Sequence, residues 1–390
     1  MDIKLSYDDV SIIPERITDI DSRSLCNPMD QNGMLPIIAA PMSSVVSIYN
    51  WRDFINNKIN VVIPRSIPIY TRLTMMKEEC LERMYRTLFI AVSLQEAIQI
   101  FLKGYEPEDG LIFIVYHELI SKLEKLTNPQ HIRICIDLAN GHMSKLINTI
   151  KQIKDKYGDK VIIMSGNIAN PSAYEDYENA GCDYVRVSIG TGSGCLTASN
   201  TGVFYPQFSL LKEMYEVKRS INGKCKIIAD GGIKGYRDVQ KALIYADYVM
   251  IGGLFNKCIE SAGLTTYGKS YIKLFGFKVR NYIKDFFYYN TVVNYKKYDK
   301  LMKKVKNGML ELHKSFYGMS TKIAQEETGN KVKKTSEGKI ITNKVEYTIH
   351  QWAENEESYL RSAMSYVNAF TLDEYKETQW VQINKITYNN

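Results

Sequence analysis

The residue best suited to chemistry in this sequence is Cys195, which lies in a glycine-rich stretch. The stretch SIGTGSGCLTASNTGVFYPQ (188–207) places three glycines before the cysteine, so the backbone can turn sharply and approach a ligand. Free backbone N–H groups in such a polar loop stabilise a thiolate, and Thr197 stands two residues on, where it could pass protons. Taken alone, the loop leaves two alternatives open, a reactive cysteine and an inert core cysteine.

Two glycine motifs follow the cysteine loop along the chain. ADGGI (229–233) offers a carboxylate that can accept both hydroxyls of a ribose. IGG (251–253) offers paired glycines whose N–H groups can bind a phosphate. Either motif alone is also ordinary turn chemistry between a strand and a helix. Their order, with the cysteine loop ahead of both, favours a nucleotide site.

The elements that must position these loops are short apolar runs that alternate with amphipathic stretches. Uninterrupted runs rich in Ile and Val are typical of parallel strands covered on both faces. Nine runs are predicted strands: 35–40, 59–64, 87–92, 111–116, 132–139, 161–166, 184–190, 226–232 and 248–253. Helical patterns lie between them, for example at 143–157 and 239–246. Repeated βα units of this kind form either a doubly wound sheet or a closed barrel.

Small residues at the ends of the predicted strands favour the barrel. SGN, SIGTGSG, ADGG and IGG each follow a strand, and closed barrels assemble their active sites from the carboxyl ends of several strands. A doubly wound sheet would instead concentrate its glycines after the first strand. We therefore predict an α/β fold, a (β/α)8 TIM barrel that forms one catalytic domain over residues 1–390.

Residues 264–313 interrupt the alternation and are rich in Tyr, Lys and Phe. We interpret them as an inserted subdomain or loop late in the barrel. Three forms stay open: an extra helical layer with aromatics packed under solvated lysines, an oligomer contact and a basic surface loop. Aromatics interleaved with lysine can also bind single-stranded nucleic acid, an alternative that we favour less.

Composition narrows the class of protein. A formal net charge of +7 over 390 residues is a mild bias that indicates no nucleic-acid footprint, although it could steer a phosphorylated ligand. The 7 cysteines are scattered without a C-x-x-C pair, which predicts neither a zinc site nor a disulfide framework and fits a reducing cytosol. The N-terminus has charges where a signal peptide needs an apolar run. We expect a cytoplasmic protein with no membrane partner.

The sequence is similar to the IMP dehydrogenase/GMP reductase family. Matching stretches run in family order over nearly the whole chain outside the insertion: SYDDVSIIPE, DSRS, LPIIAAPM, ICIDLANGH, SGNI, IGTGSGCLT, TGVFYPQ, IIADGGI, VMIGG, FYGMS and SEG. The resemblance implies a (β/α)8 barrel, usually assembled as a homotetramer. It also implies a cysteine that attacks C2 of a purine nucleotide and forms a covalent thioimidate.

Two reactions in the family share this first step. IMP dehydrogenase passes hydride from C2 of IMP to NAD+ and then hydrolyses the adduct. GMP reductase expels ammonia from GMP and then delivers hydride from NADPH, releasing IMP. The dehydrogenase activates its water with an Arg–Tyr pair on a flap after GMGS, whereas the matching residues 320–336 contain neither Arg nor Tyr. This difference favours the reductase.

Two further observations point the same way and one opposes them. Residues 65–92 leave no room for the CBS modules usual in dehydrogenases, and FYGMS and TGVFYPQ are closer to the reductase versions. APMSS, in contrast, resembles the dehydrogenase form. The resemblance therefore implies NADPH-dependent reduction of GMP. IMP dehydrogenase and a non-catalytic member that binds guanine nucleotides are the alternatives.

The resemblance assigns roles position by position. Cys195 matches the nucleophile, while Thr197 and Glu337 match the pair that protonates the departing ammonia. The substrate-binding positions are Ser193, Asp230, Gly231, Gly232, Gly252, Gly253, Tyr317, Gly318, Met319, Ser320, Lys334, Ser336 and Gly338. Among these, Asp230 matches the contact to the ribose hydroxyls, and the phosphate contacts are Ser193, Gly252, Gly253 and Tyr317.

The cofactor and cation positions follow in the same way. The NADPH-binding positions are Ser22, Arg23, Arg65, Asp137, Leu138, Ala139, Ile189 and Gly190, of which the first two come from a neighbouring subunit. The backbone carbonyls of Gly190, Gly192 and Cys195 match the ligands of a monovalent cation, potassium.

Most departures from the family pattern fall on the cofactor side. Lys334 stands where the reductases have Arg, and Arg65 substitutes in part for a cofactor-binding lysine. Thr191 and Gly194 replace Pro and Val in the cysteine loop, and Asn368 replaces a glycine. The choice between NADPH and NADH, and between GMP and a modified purine nucleotide, therefore stays open.

Overall fold

A computed structural model describes residues 3–79, 88–125, 131–192, 194–274, 277–281, 295–318, 321–328 and 338–383. The first strand, β1 (Val10–Ile12), lies outside the central sheet. The next eight strands are parallel and close into a barrel: β2 (Ile37–Ala39), β3 (Asn60–Ile63), β4 (Leu88–Val92), β5 (Ile132–Asp137), β6 (Val161–Ile168), β7 (Tyr184–Val187), β8 (Lys226–Asp230) and β9 (Tyr248–Ile251). β9 pairs with β2, which confirms the predicted closed barrel.

The barrel strands are apolar throughout because both of their faces are buried. In β3, Val61 and Ile63 face the surrounding helices, whereas Val62 points into the barrel. The interior is filled by side chains from successive strands, among them Ile38, Phe89, Ala91, Cys135, Met164, Ile228 and Met250. Alternate residues thus enter two apolar cores, and this is why the runs lack a polar face.

Helices surround the barrel and connect its strands. Those that occur up to β9 are α1 (Trp51–Asn56), α2 (Ile69–Glu79), α3 (Leu94–Ile98), α4 (Leu111–Lys125), α5 (Ser144–Tyr157), α6 (Ala173–Asn179), α7 (Thr197–Thr201), α8 (Gln207–Ser220) and α9 (Tyr236–Leu243). The later helices are α10 (Gly253–Asn256), α11 (Tyr295–Lys306), α12 (Lys322–Glu327), α13 (Ile349–Tyr366) and α14 (Leu372–Tyr375).

One of the nine predicted strands is wrong. Residues 111–116 are the first part of α4, and the other eight runs are the eight barrel strands. The apolar run is only the start of a longer pattern, in which Val115, Leu119 and Leu123 recur at four-residue intervals and are buried together. Leu111 and Ile114, which made the run look like a buried strand, are exposed. The helical period therefore outweighs the local apolar run.

In its described residues, the insertion contributes strands to a sheet and contains one helix, so the helical layer, one of the three forms that we left open, is wrong in its main element. β10 (Thr265–Leu274), β11 (Phe277–Asn281), β12 (Leu310–Phe316) and β13 (Ile341–Lys344) make an antiparallel sheet in the order β11-β10-β12-β13. α11 lies between β11 and β12 in the chain. A small core unites this unit, formed by Ile259, Met302, Leu310, Leu312 and Val345. β12 then leads directly back to the barrel mouth.

The two ends of the described chain meet. β14 (Trp380–Gln382) pairs antiparallel with β1, so that Val10 lies opposite Gln382. Lys376 and Lys218 both bind the carboxylate of Asp247, which ties the C-terminal segment to the turn before β9. Within the ranges described above, no helix has both the length and the apolar character needed to cross a membrane.

Candidate active site

Cys195 lies at the carboxyl end of the barrel, in the loop between β7 and α7. Its side chain is half-buried, and its thiol donates to Thr197 Oγ1 at 3.3 Å. The predicted pairing of these two side chains is therefore present. The backbone N–H of Cys195 is not free as we expected, because it donates to Gly192 O at 2.9 Å and closes a tight turn. The thiol is thus held beside the hydroxyl of Thr197, the first residue of α7.

A second segment covers the cysteine loop. Cys195 forms an isolated antiparallel bridge with Gly338, and Lys339 N donates to Gly194 O at 3.0 Å. The structure thus brings Gly338, a predicted substrate-binding residue, next to the predicted nucleophile. Six other predicted catalytic or substrate-binding residues lie outside the described residues: Ser193, Met319, Ser320, Lys334, Ser336 and Glu337.

The ADGG turn after β8 packs against the same loop. Gly231 has φ +101° and Gly232 has φ +75°, backbone conformations that side chains other than glycine rarely adopt. A Cβ on Gly231 would lie 2.7 Å from Thr191 Oγ1, so a larger residue would collide with the cysteine loop. The glycines therefore allow two active-site loops to touch.

Phe316, the last residue of β12, joins the cysteine loop to the IGG turn. Its buried ring lies 3.5 Å from where a Cβ on Gly194 would be and 3.6 Å from where a Cβ on Gly252 would be. Gly252 also faces Met42 in the loop after β2, whose sulfur would lie 2.7 Å from a Cβ. Gly253 begins α10. Loops that are far apart in sequence therefore meet around Phe316.

A buried ion network crosses the barrel mouth and includes two residues that our sequence prediction missed. Arg186 donates to Asp137 Oδ1 at 2.6 Å and to Asp230 Oδ2 at 3.0 Å. Asn167 Nδ2 donates to the same oxygen of Asp230 at 2.6 Å. A signal existed for Arg186: it lies between two outward-facing valines of β7, so its charge must enter the barrel and find carboxylates there.

The charges in this network determine each other's protonation. Burial by itself would raise the pKa of Asp137, but the guanidinium groups of Arg186 and Arg65 outweigh it and lower that pKa below its usual value. Burial likewise disfavours the charged form of Arg186, yet Asp230 and Asp137 together keep its pKa well above the usual value. The Asp137 carboxylate is therefore ionised and held beside Arg186.

Six of the eight predicted cofactor residues, all except Ser22 and Arg23, occupy two neighbouring regions of the mouth. Arg65, in the loop after β3, donates from Nε to Asp137 Oδ2 at 3.2 Å. Leu138 and Ala139 follow β5 directly, and Leu138 O accepts the N–H of Asn167 at 3.2 Å. Ile189 and Gly190 follow β7, and Gly190 has φ +78° and contacts the start of α7. These residues form the wall of the site on the β3–β7 side.

Tyr317 and Gly318 lie at the turn after β12. The hydroxyl of Tyr317 donates to Glu327 Oε1 at 2.8 Å, and Ser43 Oγ donates to the other oxygen of the same carboxylate at 2.6 Å. Thr321 N donates to Gly318 O at 3.1 Å. The turn is thus placed beside the loop after β2, with the Tyr317 hydroxyl bound to an acidic side chain of α12.

Ser22 and Arg23 lie away from the cysteine loop, on an exposed 3-10 turn (Arg23–Leu25) that packs on α13. Arg361 of α13 donates to the carbonyl of Cys26 just beyond this turn. The structure of one chain does not bring these two residues to the other site residues that it describes.

Asn368 shows why one departure from the family pattern is tolerated. Its φ is +55°, a conformation that asparagine adopts more readily than most residues other than glycine. Its Oδ1 accepts from Asp19 N at 2.9 Å and from Thr18 Oγ1 at 3.1 Å. The asparagine therefore keeps the backbone of a glycine and adds an anchor for the N-terminal arm.

Comparisons with known proteins agree with this geometry. The family profile described as IMP dehydrogenase / GMP reductase domain matches residues 114–389. A GMP reductase of Buchnera aphidicola subsp. Schizaphis graminum (strain Sg) is 28% identical over 397 residues, covering 98% of this chain and 95% of that protein. A GMP reductase of Vibrio vulnificus (strain YJ016) is 30% identical over 287 residues, which cover 70% of this chain and 76% of that protein. A GMP reductase of Bacillus licheniformis is 32% identical over 283 residues, covering 71% and 78%. The chain therefore belongs to the IMP dehydrogenase/GMP reductase family of enzymes.

Proposed function

We propose that this protein is an NADPH-dependent GMP reductase, which converts GMP to IMP and ammonia. The observation that carries the proposal is the Cys195–Thr197 pair, held by the bridge to Gly338 at the carboxyl end of a closed barrel. The similarity to proteins named GMP reductase supports the direction of the reaction. The absence of Arg and Tyr from residues 320–336 supports it independently, because the adduct then lacks a group suited to activating water.

The first step makes one bond and breaks another. The Cys195 thiolate attacks C2 of the purine, and the C2–N bond to the exocyclic amine breaks, giving a thioimidate and ammonia. Thr197 lies close enough to the sulfur to take the thiol proton and pass it to the departing amine. Glu337, which precedes Gly338 in the sequence, is the acid that we propose assists this transfer with Thr197, so that one proton converts the leaving amine to ammonia.

The ADGG and IGG turns are proposed to hold the nucleotide, since they contact the cysteine loop directly or through Phe316. The Asp230 carboxylate receives its three donors on Oδ2, and among the described residues none donates to Oδ1. That oxygen is therefore suited to accept the ribose hydroxyls. The glycine N–H groups of Gly252 and Gly253 are proposed to bind the phosphate, together with Ser193.

The wall on the β3–β7 side fits a nicotinamide cofactor. Asp137 and Arg65 lie beside the backbone of Leu138 and Ala139. The carboxylate of Asp137 is a fixed acceptor suited to ribose hydroxyls, and the guanidinium of Arg65 is a donor suited to phosphate. NADPH, when bound, supplies the hydride that reaches C2. The C2–S bond then breaks, which releases IMP and restores the Cys195 thiolate. We assign the orientation of the nicotinamide ring to Ile189 and Gly190.

Potassium binding is proposed for the same loop. The carbonyls of Gly190, Gly192 and Cys195 are the ligands that the family resemblance implies. Gly192 O already accepts the N–H of Cys195, and a carbonyl has a second lone pair for a cation. The tight turn brings Gly192 and Cys195 together, which supports a shared oxygen-donor site.

We also propose that the enzyme is a homotetramer, in which Ser22 and Arg23 contact the cofactor of a neighbouring subunit. An exposed apolar patch supports this, formed by Ile17, Leu25, Tyr366 and Phe370 around the 3-10 turn and the end of α13. Patches of this kind mark interfaces. Light scattering of the purified protein should give four times the chain mass, and a monomer would contradict the proposal.

One assay tests the reaction directly. Purified protein is mixed with GMP or IMP and each of NADPH, NADH, NADP+ and NAD+, and the absorbance of the reduced cofactor is followed together with ammonia release. We expect NADPH consumption and ammonia with GMP alone. NADH formation from IMP and NAD+ would overturn the proposal in favour of the dehydrogenase. GMP binding without any turnover would indicate a non-catalytic nucleotide-binding protein.

A further inference from the structure

Asn256 is a buried polar residue outside the predicted site. It ends α10, the short helix that follows the IGG turn, and its side chain is fully buried. Its backbone N–H donates to Gly252 O at 2.9 Å, which fixes the turn from within. A buried side-chain amide must find partners for two donors and one acceptor, or its burial costs free energy.

The amide of Asn256 finds those partners in three different segments. Nδ2 donates to Ser44 O at 2.8 Å, in the loop after β2, and to Ser315 O at 2.9 Å, near the end of β12. Oδ1 accepts from Asn343 Nδ2 of β13 at 2.8 Å. One side chain therefore joins the IGG turn, the loop after β2 and the sheet of the insertion.

Ser44 carries this connection on to the Tyr317 turn. Its hydroxyl lies 3.2 Å from Tyr317 O and 3.4 Å from Tyr317 N, so it can bind both backbone groups of that residue. Its carbonyl also accepts from Ser261 Oγ at 2.8 Å. The chain of contacts thus runs from Gly252 to Tyr317 through two buried side chains, those of Asn256 and Ser44.

The groups that Asn256 connects are closely packed around Gly263. A Cβ at this position would collide with Ser315 O, and it would lie 2.8 Å from Asn256 Nδ2 and 3.1 Å from Ser44 O. The two carbonyls that Asn256 bridges are therefore packed against the same glycine.

We infer that Asn256 is a positioning residue, which fixes the spacing between the Gly252–Gly253 backbone and the Tyr317 turn so that both address the phosphate of the nucleotide. The inference rests on the proposed function, because that function places the phosphate at these two turns. A purely structural role would lower stability without any preference for the phosphate. A positioning role acts on the part of the ligand that the two turns contact.

The test compares ligands with and without the phosphate. Affinities for GMP and guanosine, and for IMP and inosine, are measured by titration calorimetry with wild-type protein and Asn256→Ala. We expect about a tenfold loss of affinity for both nucleotides, since buried carbonyls that lose their donor shift the turns, and less than about a twofold change for the nucleosides. KM for GMP should rise by the same factor, with kcat little changed.

Asn60 provides a matched control. It is also buried, and its Nδ2 also donates to two backbone carbonyls, Leu35 O and Ile37 O, both at 3.2 Å. These groups lie at the amino end of the barrel strands, away from the proposed site. Asn60→Ala should lower the melting temperature about as much as Asn256→Ala but should leave the preference for nucleotide over nucleoside unchanged.

A milder variant covers the case in which Asn256→Ala does not fold. Asn343→Ala removes only the donor to Asn256 Oδ1 and should reduce nucleotide affinity about threefold, with no change for nucleosides. Equal losses for nucleotide and nucleoside, or an unchanged preference in the variants, would overturn the positioning role. If the wild-type protein itself bound GMP no better than guanosine, the proposed phosphate site would fail instead.

Discussion

At the scale of single residues, the proposed site depends on charges that are buried in pairs. Arg186 is a cation inside the barrel mouth, and its position is explained only by Asp137 and Asp230 on either side of it. One of these carboxylates is proposed to face the cofactor and the other the ribose. The guanidinium therefore fixes the proposed cofactor side relative to the proposed ribose side, since its planar group can contact both carboxylates at once.

We expect Arg186→Leu to lower the free energy of unfolding by about 3–5 kcal/mol, because the buried Asp137 and the partly buried Asp230 lose a shared partner. Among the described residues, Asp137 would keep only Arg65 as a partner, and Asp230 only Asn167. Urea denaturation measures this loss. Arg186→Lys, which keeps the charge without the fork, should fall between wild type and the leucine variant. A leucine variant as stable as wild type would contradict the proposed importance of the network.

Cys195 provides the second prediction at this scale. Cys195→Ser should abolish GMP turnover while leaving GMP binding measurable, because serine lacks the acidity needed to form the adduct. Iodoacetamide should alkylate Cys195 ahead of the five buried cysteines that the structure describes, and GMP should slow this reaction. Peptide mass spectrometry identifies the modified residue.

Cys182 is the control for this experiment. It is buried, with its thiol bonded to backbone carbonyls, so Cys182→Ala should retain turnover. Turnover by the Cys195→Ser protein at a rate close to wild type would show that the reaction does not need the thiol.

At the scale of the elements, loops from distant parts of the chain pack so closely that a single added Cβ on some of their glycines would collide with a neighbouring loop. The turn after β8 touches the cysteine loop, and the end of β12 touches both the cysteine loop and the IGG turn. This contact explains why glycines recur at the strand ends. They allow close approach between loops, and only some of them are also required for the conformation of their own turn.

Gly231→Ala tests the contact between two such loops. The positive φ at Gly231 and the 2.7 Å approach to Thr191 Oγ1 should together cost about 1–3 kcal/mol and reduce turnover, because the cysteine loop must shift. Thermal denaturation and initial rates measure the two effects.

Gly235→Ala is the matched control for Gly231→Ala. Its φ is −170°, which any residue adopts, and nothing lies within 4 Å of where its Cβ would be. It should leave the melting temperature and the rate close to wild type. If both substitutions had the same effect, the contact between Gly231 and the cysteine loop would contribute nothing to stability or turnover.

At the scale of the whole molecule, stability should depend on pH through a carboxyl group remote from the site. Glu356 of α13 is fully buried against Gln240, whose Nε2 donates to it at 3.2 Å, and burial raises the pKa of Glu356 to about 8. In the unfolded chain this carboxyl has a pKa of about 4.3. Between these values the folded protein keeps a proton that the unfolded chain has released.

Folding therefore loses stability as the pH rises from about 4.3 to about 8, and the contribution of Glu356 is fully present only below that window. Glu356→Gln keeps the acceptor for Gln240 and removes the titration, so it should raise the melting temperature at pH 8 by several degrees more than at pH 5. Burial raises the pKa of Glu260 to about 7, so part of the dependence of the melting temperature on pH should remain in this variant.

Glu354, exposed on the same helix, supplies the comparison for Glu356. Glu354→Gln should leave the dependence of the melting temperature on pH as it is in wild type. A Glu356→Gln protein with an unchanged slope would show that another buried group controls it.

The sequence by itself determined the barrel and the order of its loops. Buried parallel strands require apolar residues on both faces, and eight of the nine predicted runs meet this requirement. Glycine at positive φ and Asp230 at a strand end are local requirements, so they were visible before folding. The one wrong strand, at the start of α4, was wrong because its helical period extends beyond the apolar run.

Only the tertiary structure decided which side chains meet. Arg186, Asn167 and Asn256 act through partners that lie tens to hundreds of residues away in the sequence. The antiparallel sheet of the insertion likewise depends on pairing between β10 and β12, which no local propensity specifies. Long-range partners are selected by the burial of charges and amides, because such groups must be satisfied wherever the fold places them. The proposed chemistry of Cys195 was therefore predictable from the resemblance of its loop and of the motifs that follow it to a known family, whereas the network that would position its substrate was not.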